Sequence, residues 1–354
     1  MPNFYFFIKF FVAPAIIFKC LTKKINAMIE QKRIQLFVLN NLVWFILIGF
    51  FLVMGFFIPR GWFTLTNIDL IIYVSIPLAI VAFAEAIIII AGCIDVSLTE
   101  IVGFAAVLTG VTIVHWIPGL HGFVSIIMIV GLATLLGMVN GFFVGKVKLS
   151  PILVTIATYL IYMWMTRFFM TRTIDGSELP SILLYPGSDV LFGFLRFPIL
   201  ILIGVFLSVY ILMNYTSFGN RVYAVGGNPA SAKMLGISVG KTHFWVYTLA
   251  GTLGGLAALI WVGFVGCIPP TLADGRIFLI FAAVFIGGVS MAGGRGSLVG
   301  VLGGVLLLST VSAGLTMLAV DPKLREALMG VVMLIAIIIN KTREKLIDKI
   351  LLPG

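Results

Sequence analysis

Charge is scarce in this chain. Of 354 residues only 10% are Asp, Glu, Lys or Arg, against 61% apolar. A globule of that composition has too little polar surface to cover itself, so a soluble fold is excluded. Cysteine is nearly absent: Cys20, Cys93 and Cys267 lie far apart with no CxxC pair, which leaves no disulfide framework and no zinc motif. There are three histidines. His115 and His121 share an outer loop without a third ligand nearby, too little for a metal site. Ser, His and Asp are too scattered to outline a hydrolytic triad, and nothing else marks an enzyme. Acids are the scarcest charge, 13 against 23 basic residues, for a net charge of +10. In a chain this apolar, that excess reads as basic cytoplasmic loops, not as a nucleic-acid surface.

What the chain has is apolar sequence in long, continuous runs. Barrel strands would alternate apolar and polar positions over about 10 residues, and these runs do not, so they are read as helices. Many reach the roughly 20 residues that cross a bilayer. The expected fold is an all-α polytopic membrane protein of about ten spans: 36–58, 68–93, 97–117, 123–145, 151–170, 190–213, 242–266, 278–290, 297–318 and 324–340. The eighth is short and is expected to be a partial or tilted span buried among its neighbours. Residues 1–35 form an apolar, basic N-terminal extension, residues 36–340 a transmembrane domain with a polar loop at 214–241, and residues 341–354 a basic tail. The first 18 residues resemble a signal helix without a small-residue cleavage site and are expected to lie in the interface.

Orientation follows from counting. With the N-terminus inside and ten spans, sixteen of the 23 basic residues fall in cytoplasmic segments, including Lys146, Lys148, Arg221, Lys233, Lys241 and Arg295. Asp175, Glu178, Asp189, Asp274 and Asp321 fall outside. Both termini are therefore expected in the cytoplasm. Gly137, Gly141 and Gly145, Gly251 and Gly255, and Gly300 and Gly304 follow the small-xxx-small spacing of close helix contacts. A faint internal echo pairs Ile94-Asp-Val-Ser-Leu98 with Gly294-Arg-Gly-Ser-Leu298, each opening a helix, about 200 residues apart.

A few polar residues sit inside the runs. Glu85 lies mid-span, where a charge costs about 2.5–3.5 kcal/mol. It either lines a translocation path with Asp95, Ser97 and Asn140, or is protonated or hydrogen-bonded to a neighbouring helix. Pro77 should kink the same span. Asp95 or Ser97 is expected to cap the third helix. Arg167, at the end of the fifth, is expected to snorkel to the interface in preference to pairing with a carboxylate. Gly236-Ile-Ser-Val-Gly-Lys-Thr242 imitates a phosphate-binding loop, but only three residues separate Gly236 from Gly240 where that loop has four. The chain is therefore not expected to bind ATP, or any other cofactor, itself.

The segment Tyr223-Ala-Val-Gly-Gly-Asn-Pro-Ala-Ser-Ala-Lys-Met-Leu-Gly-Ile237 is short, basic and glycine-punctuated, wedged between two apolar runs. Asn228-Pro229 reads as a helix start. Such a segment fits a docking surface for a soluble cytoplasmic partner. The run Gly219–Ile237, together with Gly92-Cys-Ile-Asp-Val-Ser97 and Gly287-Gly-Val-Ser-Met-Ala-Gly-Gly-Arg-Gly296, resembles the ribose-type (simple-sugar) permeases of ATP-binding-cassette (ABC) importers. The likeness covers roughly residues 60–340. It implies a membrane-spanning subunit in the bacterial inner membrane, paired with a second permease copy or paralogue. Its other implied partners are a separate ABC ATPase subunit, which uses the ATP, and an external solute-binding protein. It also implies coupling through Gly226, Gly227, Asn228, Pro229, Ala230, Ala232, Gly236 and Ile237, with Ala230, Ala232 and Gly236 small enough to enter a groove on the ATPase. The chain departs from the family at Arg276-Ile-Phe-Leu-Ile-Phe-Ala-Ala283, which has lost acids and gained an arginine, and at Glu85. The implied solute is a monosaccharide such as ribose, with nucleosides and polyols as the alternatives. A stand-alone proton-coupled transporter using Glu85 is the rival class.

Overall fold

The computed structural model describes residues 32–191 and 195–351. They form fourteen α-helices: α1 (Lys32–Asn40), α2 (Leu42–Phe57), α3 (Leu65–Ile90), α4 (Leu98–Val111), α5 (Gly122–Gly141), α6 (Pro151–Phe169), α7 (Ser181–Ser188), α8 (Phe197–Tyr215), α9 (Ser217–Gly227), α10 (Pro229–Met234), α11 (Val239–Val265), α12 (Ile277–Ile286), α13 (Leu298–Met317) and α14 (Pro322–Leu351). Single π-turns extend α4 to Trp116 and α5 to Lys146. Among the described residues, strand is confined to two short antiparallel pairs. In one, β1 (Ile174–Asp175) sets Ile174 opposite Ile268 of β4 (Cys267–Ile268); in the other, β2 (Val190–Leu191) meets β3 (Leu195–Arg196). The interfacial helix expected at 1–18 lies outside the described residues.

Each of the ten expected spans coincides with a helix. Among the described residues, seven are long and apolar enough to cross a membrane, or eight if α1 and α2 make one span. The others fall short for physical reasons. Helix α12 has only ten residues, and the apolar middle of α14 lies between Arg325-Glu326 and Lys341. The sixth expected span began too early, because residues 190–196 form the β2–β3 hairpin and the helix starts at Phe197.

Residues 43–340 form one compact unit; the described residues on either side, 32–42 and 341–351, belong to another. In the smaller unit, Arg343 donates to the Leu39 carbonyl at 2.7 Å. In the larger, α3, α4 and α11 are the inner helices. Their apolar windows are 83%, 83% and 72% buried, against 22–28% for α5, α6 and α8. The outer helices expose large apolar side chains such as Leu153 and Phe168, as lipid-facing helices do. Helix α3 continues through Pro77, and the Thr64 hydroxyl caps its start by accepting from Asn67 N.

The small-residue spacings mark the close helix contacts. Along α5 and α11, a Cβ added at Gly137 would lie 2.5 Å from Tyr247 O, and one at Gly145 2.3 Å from Gly240 O. At Gly304 of α13 it would lie 2.1 Å from Ala283 O of α12. With apolar lipid outside, such backbone approaches, not water exclusion, hold the helices together. The short α12 is thereby buried among neighbours, as its length led one to expect.

Candidate coupling junction and buried polar cluster

The three glycine-bearing motifs, far apart in sequence, meet at one place. Gly226 closes α9 and lies against two loops, one after α3 and the other after α12. A Cβ on Gly226 would sit 1.7 Å from Ile90 O and 2.7 Å from Gly294 N, and one on Gly294 would sit 2.5 Å from Gly227 Cα. A Cβ on Gly92 would lie 3.4 Å from Gly226 Cα at the same spot. The two loops are also bonded directly, Gly294 N donating to Ile90 O at 2.9 Å. Glycine is required here because backbone meets backbone. Gly294 adds a second reason, its φ of +70°. Two side chains complete the junction: the Tyr223 hydroxyl donates to Gly296 O at 3.2 Å, and His243 Nε2 lies 3.3 Å from Ala91 O.

Beyond the junction, helix α10 begins at Asn228, whose side chain caps it by accepting from Ser231 N at 3.0 Å, with Pro229 in the first turn. Gly236, at φ +79°, ends it; Ile237 N bonds back to Ala232 O at 3.0 Å. The false phosphate loop is thus a helix stop followed by the start of α11, with Gly240 packed on Gly145. Of the coupling residues expected from sequence, Gly227, Asn228, Pro229, Ala230 and Gly236 are exposed. Ile237 is half-buried, and Gly226 and Ala232 are buried. Ala232, at 2% exposure, is buried within the chain itself. The large apolar side chains held out are Met234 and Leu235, at 82% and 79%. Sequence reading passed over them because in a chain so rich in Leu and Met two more carry no signal.

Behind the first loop, the four polar residues proposed for the path form one cluster. Asp95 Oδ1 accepts from Ser97 N at 2.7 Å and from the Ser97 hydroxyl at 2.6 Å. Asn140 of α5 donates to Ser97 Oγ at 2.8 Å and to Asp95 Oδ2 at 3.3 Å. Asp95 N donates to Glu85 Oε1 at 3.3 Å, folding the loop back onto α3. All four residues are at most 1% exposed, so none borders an open passage in the isolated chain. Among the described residues, Glu85 Oε2 and Asn140 Oδ1 have no hydrogen-bond partner. Ser97 stands at the helix start without capping it by side chain; Asp95 takes that role by binding the Ser97 amide. Sequence reading missed Tyr247, whose hydroxyl donates to Ile94 O at 3.1 Å. Its spacing of four from His243 puts both on one face of α11, and that was the available signal.

Other polar residues lie elsewhere. Arg167 does not snorkel; it pairs with Asp274 at 2.7 Å, since a carboxylate on the 269–276 loop comes within its reach. Arg276 lies 4.8 Å from the Trp261 ring, a cation–π contact. Arg196 pairs with Asp69 at 2.7 Å. His121 caps α5, accepting from Phe123 N at 3.2 Å. Among the described residues, no group of three or more His, Cys, Asp or Glu could hold a metal.

The chain is similar to known transport proteins. Residues 67–337 match the family described as the permease component of the branched-chain amino acid transport system. The chain is 31% identical over 270 residues to the ribose import permease of Bacillus subtilis, covering 75% of this chain and 81% of that one. It is 30% identical over 292 residues to the ribose import permease of Escherichia coli, covering 80% and 88%. A fructose import permease of Rhizobium meliloti is 30% identical over 272 residues, covering 75% of each. No solved structure matches. The match spans the junction, the polar cluster and every inner helix, and the chain belongs to this family of permease components, as a multi-pass protein of the bacterial inner membrane.

Proposed function

We propose that this chain is the translocating subunit of an ABC importer for a monosaccharide such as ribose or fructose, driven through α9 and α10 by a separate ATPase. The observation that carries the reading is the single contact of Gly226 with both Ile90 and Gly294. Any push on α9–α10 reaches the loops after α3 and α12 together, through backbone too tightly packed to absorb it. Met234 and Leu235, exposed at the end of α10, are the surface the ATPase grips. The buried quartet Glu85, Asp95, Ser97 and Asn140 braces the first loop so that it moves as a unit. The chain holds no cofactor and performs no chemistry of its own; ATP belongs to the partner. An external binding protein delivers the solute, and a second permease copy or paralogue completes the passage. The sugar assignment rests on the relatives named for ribose and fructose; neither a nucleoside or polyol solute nor a stand-alone proton-coupled transporter is favoured by them.

The test is uptake of labelled ribose and fructose into proteoliposomes containing the chain with an ABC ATPase and a sugar-binding protein from the same organism. Wild type should transport one of them on ATP addition. Leu235→Glu should abolish uptake and co-purification with the ATPase while membrane insertion is kept. Unchanged ATPase association in that variant would remove the docking assignment. Uptake without ATP would overturn the importer reading.

A further inference from the structure

A cleft of about 460 Å³ opens beside α10, between the start of α11 and the 147–151 loop. Lys148 and Lys233 line it, with Leu149, Ser238, Gly240 and His243, and its lining contains no carboxylate. Its size falls in the range of small-molecule sites, roughly 300–1,000 Å³. The start of α11 supplies further donors. The first-turn N–H groups of a helix have no intrahelical acceptor, and the Ser238 side chain does not cap them. Two ammonium groups and a positive helix end around one hollow select an anion. The rim narrows the choice. Val147, Leu149, Ile152 and Leu153, on the same loop and the first turn of α6, are 44–67% exposed. Phe142 and Phe143 lie just before it on α5, and Lys146 sits 5.4 Å from the Phe142 ring. An apolar shelf adjoining a basic hollow matches the two ends of a phospholipid, where an aqueous anion would use the hollow alone.

We propose that this cleft binds the phosphate-bearing headgroup of an anionic lipid of the cytoplasmic leaflet, with its acyl chains along the start of α6. The site joins the bilayer to the base of α10, through Lys233 on one wall and Lys148 on the other. It rests on the orientation used in the proposed function, but not on the ATPase assignment.

The test is native mass spectrometry of the isolated permease, released from micelles doped with either phosphatidylglycerol or phosphatidylcholine. Wild type should retain phosphatidylglycerol over phosphatidylcholine. Lys148→Gln should weaken that retention about fivefold, as loss of one lysine near an anionic surface does, and Lys148→Arg should restore it. Equal retention of the two lipids by wild type, or an unchanged preference in Lys148→Gln, would overturn the site. Displacement of the lipid by millimolar inorganic phosphate would reassign the cleft to free anions. If Lys148→Gln lost ATPase co-purification but kept its lipid, the cleft would be part of the protein interface instead. Labelling of Lys148→Cys by an impermeant thiol reagent from outside intact cells would sink the orientation and, with it, the leaflet. No ATPase is present in the lipid measurement, so its result stands apart from the fate of the coupling assignment.

Discussion

The loops after α3 and after α12 share a backbone role but differ in the chemistry behind them. Each follows an apolar helix, touches Gly226 or Gly227 through main-chain atoms, and delivers a serine to the start of the next helix. At the second loop Ser297 is a conventional cap, extended at φ −135°, with its hydroxyl accepting from Gly300 N at 3.5 Å. At the first, Ser97 has helical φ and ψ, and its hydroxyl is spent on Asp95. The first loop leads into a buried quartet of polar side chains. Behind the second, α13 packs its glycines against α12, with Asn340 donating to Val289 O at 3.0 Å. Backbone contact is indifferent to side-chain identity, so both loops can receive the same displacement while the side chains differ, Glu85 and Asp95 buried behind the first and Arg295 carried on the second. The faint sequence echo between them therefore marks shared mechanics and not shared chemistry.

The change expected to disturb this arrangement most is one that pushes both loops off α9 at once. Gly226→Val places carbon within the Ile90 carbonyl and against Gly294 N, backbone atoms that no rotamer change can move aside. Overpacking of this kind costs typically 1–3 kcal/mol where side chains can yield, and about 3 kcal/mol or more is expected here. Purified Gly226→Val should show a strongly lowered Tm and no ATP-driven uptake. Gly236→Ala makes a useful contrast. A Cβ there meets open space, and the cost is only that of left-handed backbone, about 1–2 kcal/mol. If the two variants lost equal stability, the junction would not be the tight point proposed.

Much of this was legible in the residues. The spans could be read because apolar runs of bilayer length have few other uses, and the GxxxG spacings because small residues are what lets membrane helices touch. That Glu85, Asp95, Ser97 and Asn140 belonged together was also within reach, since polar residues inside apolar helices must find one another. Their burial was not legible, because it depends on how α3, α5 and the loop fold onto each other across a separation of up to 55 residues. The same limit applies to Arg167, whose partner Asp274 lies 107 residues away. The burial of Ala232 was not legible either, because on a two-turn helix the inward face is set by tertiary packing, not by pattern.

The next prediction separates the loops directly. Asp95→Ala leaves the Ser97 amide and the Ser97 hydroxyl without their acceptor in a buried site, and removes the longer of the two bonds made by the Asn140 amide. Each stranded group costs about 1–3 kcal/mol, less than additively. Ser297→Ala removes a single long cap bond, worth about 1 kcal/mol. Asp95→Ala should therefore lower Tm clearly more than Ser297→Ala, and the double variant should be additive within error if the loops are energetically independent. Strong non-additivity would show that the 2.9 Å bond between Gly294 and Ile90 couples them more tightly than backbone contact alone implies.

The smallest effect is expected at an exposed polar cluster, which calibrates what burial contributes to the first loop. Glu178 accepts from Arg172 at 2.8 Å through both carboxylate oxygens, and from Asp175 N at 3.1 Å. The guanidinium, then the backbone donor, hold its carboxyl down at about 2, below an ordinary 4.5. A depressed carboxyl stabilises the folded state above its ordinary value and loses that contribution as pH falls toward the folded one. The window is therefore pH 4.5 down to about 2. Carboxyl NMR of Glu178 should show a midpoint below 4.5, moving up in Arg172→Gln. Tm above pH 5 should barely respond to that substitution, because a solvated ion pair contributes little net stability. If Arg172→Gln instead lowered Tm at neutral pH as much as Asp95→Ala does, burial would not be what distinguishes the quartet, and the contrast between the two loops would have to rest on geometry alone.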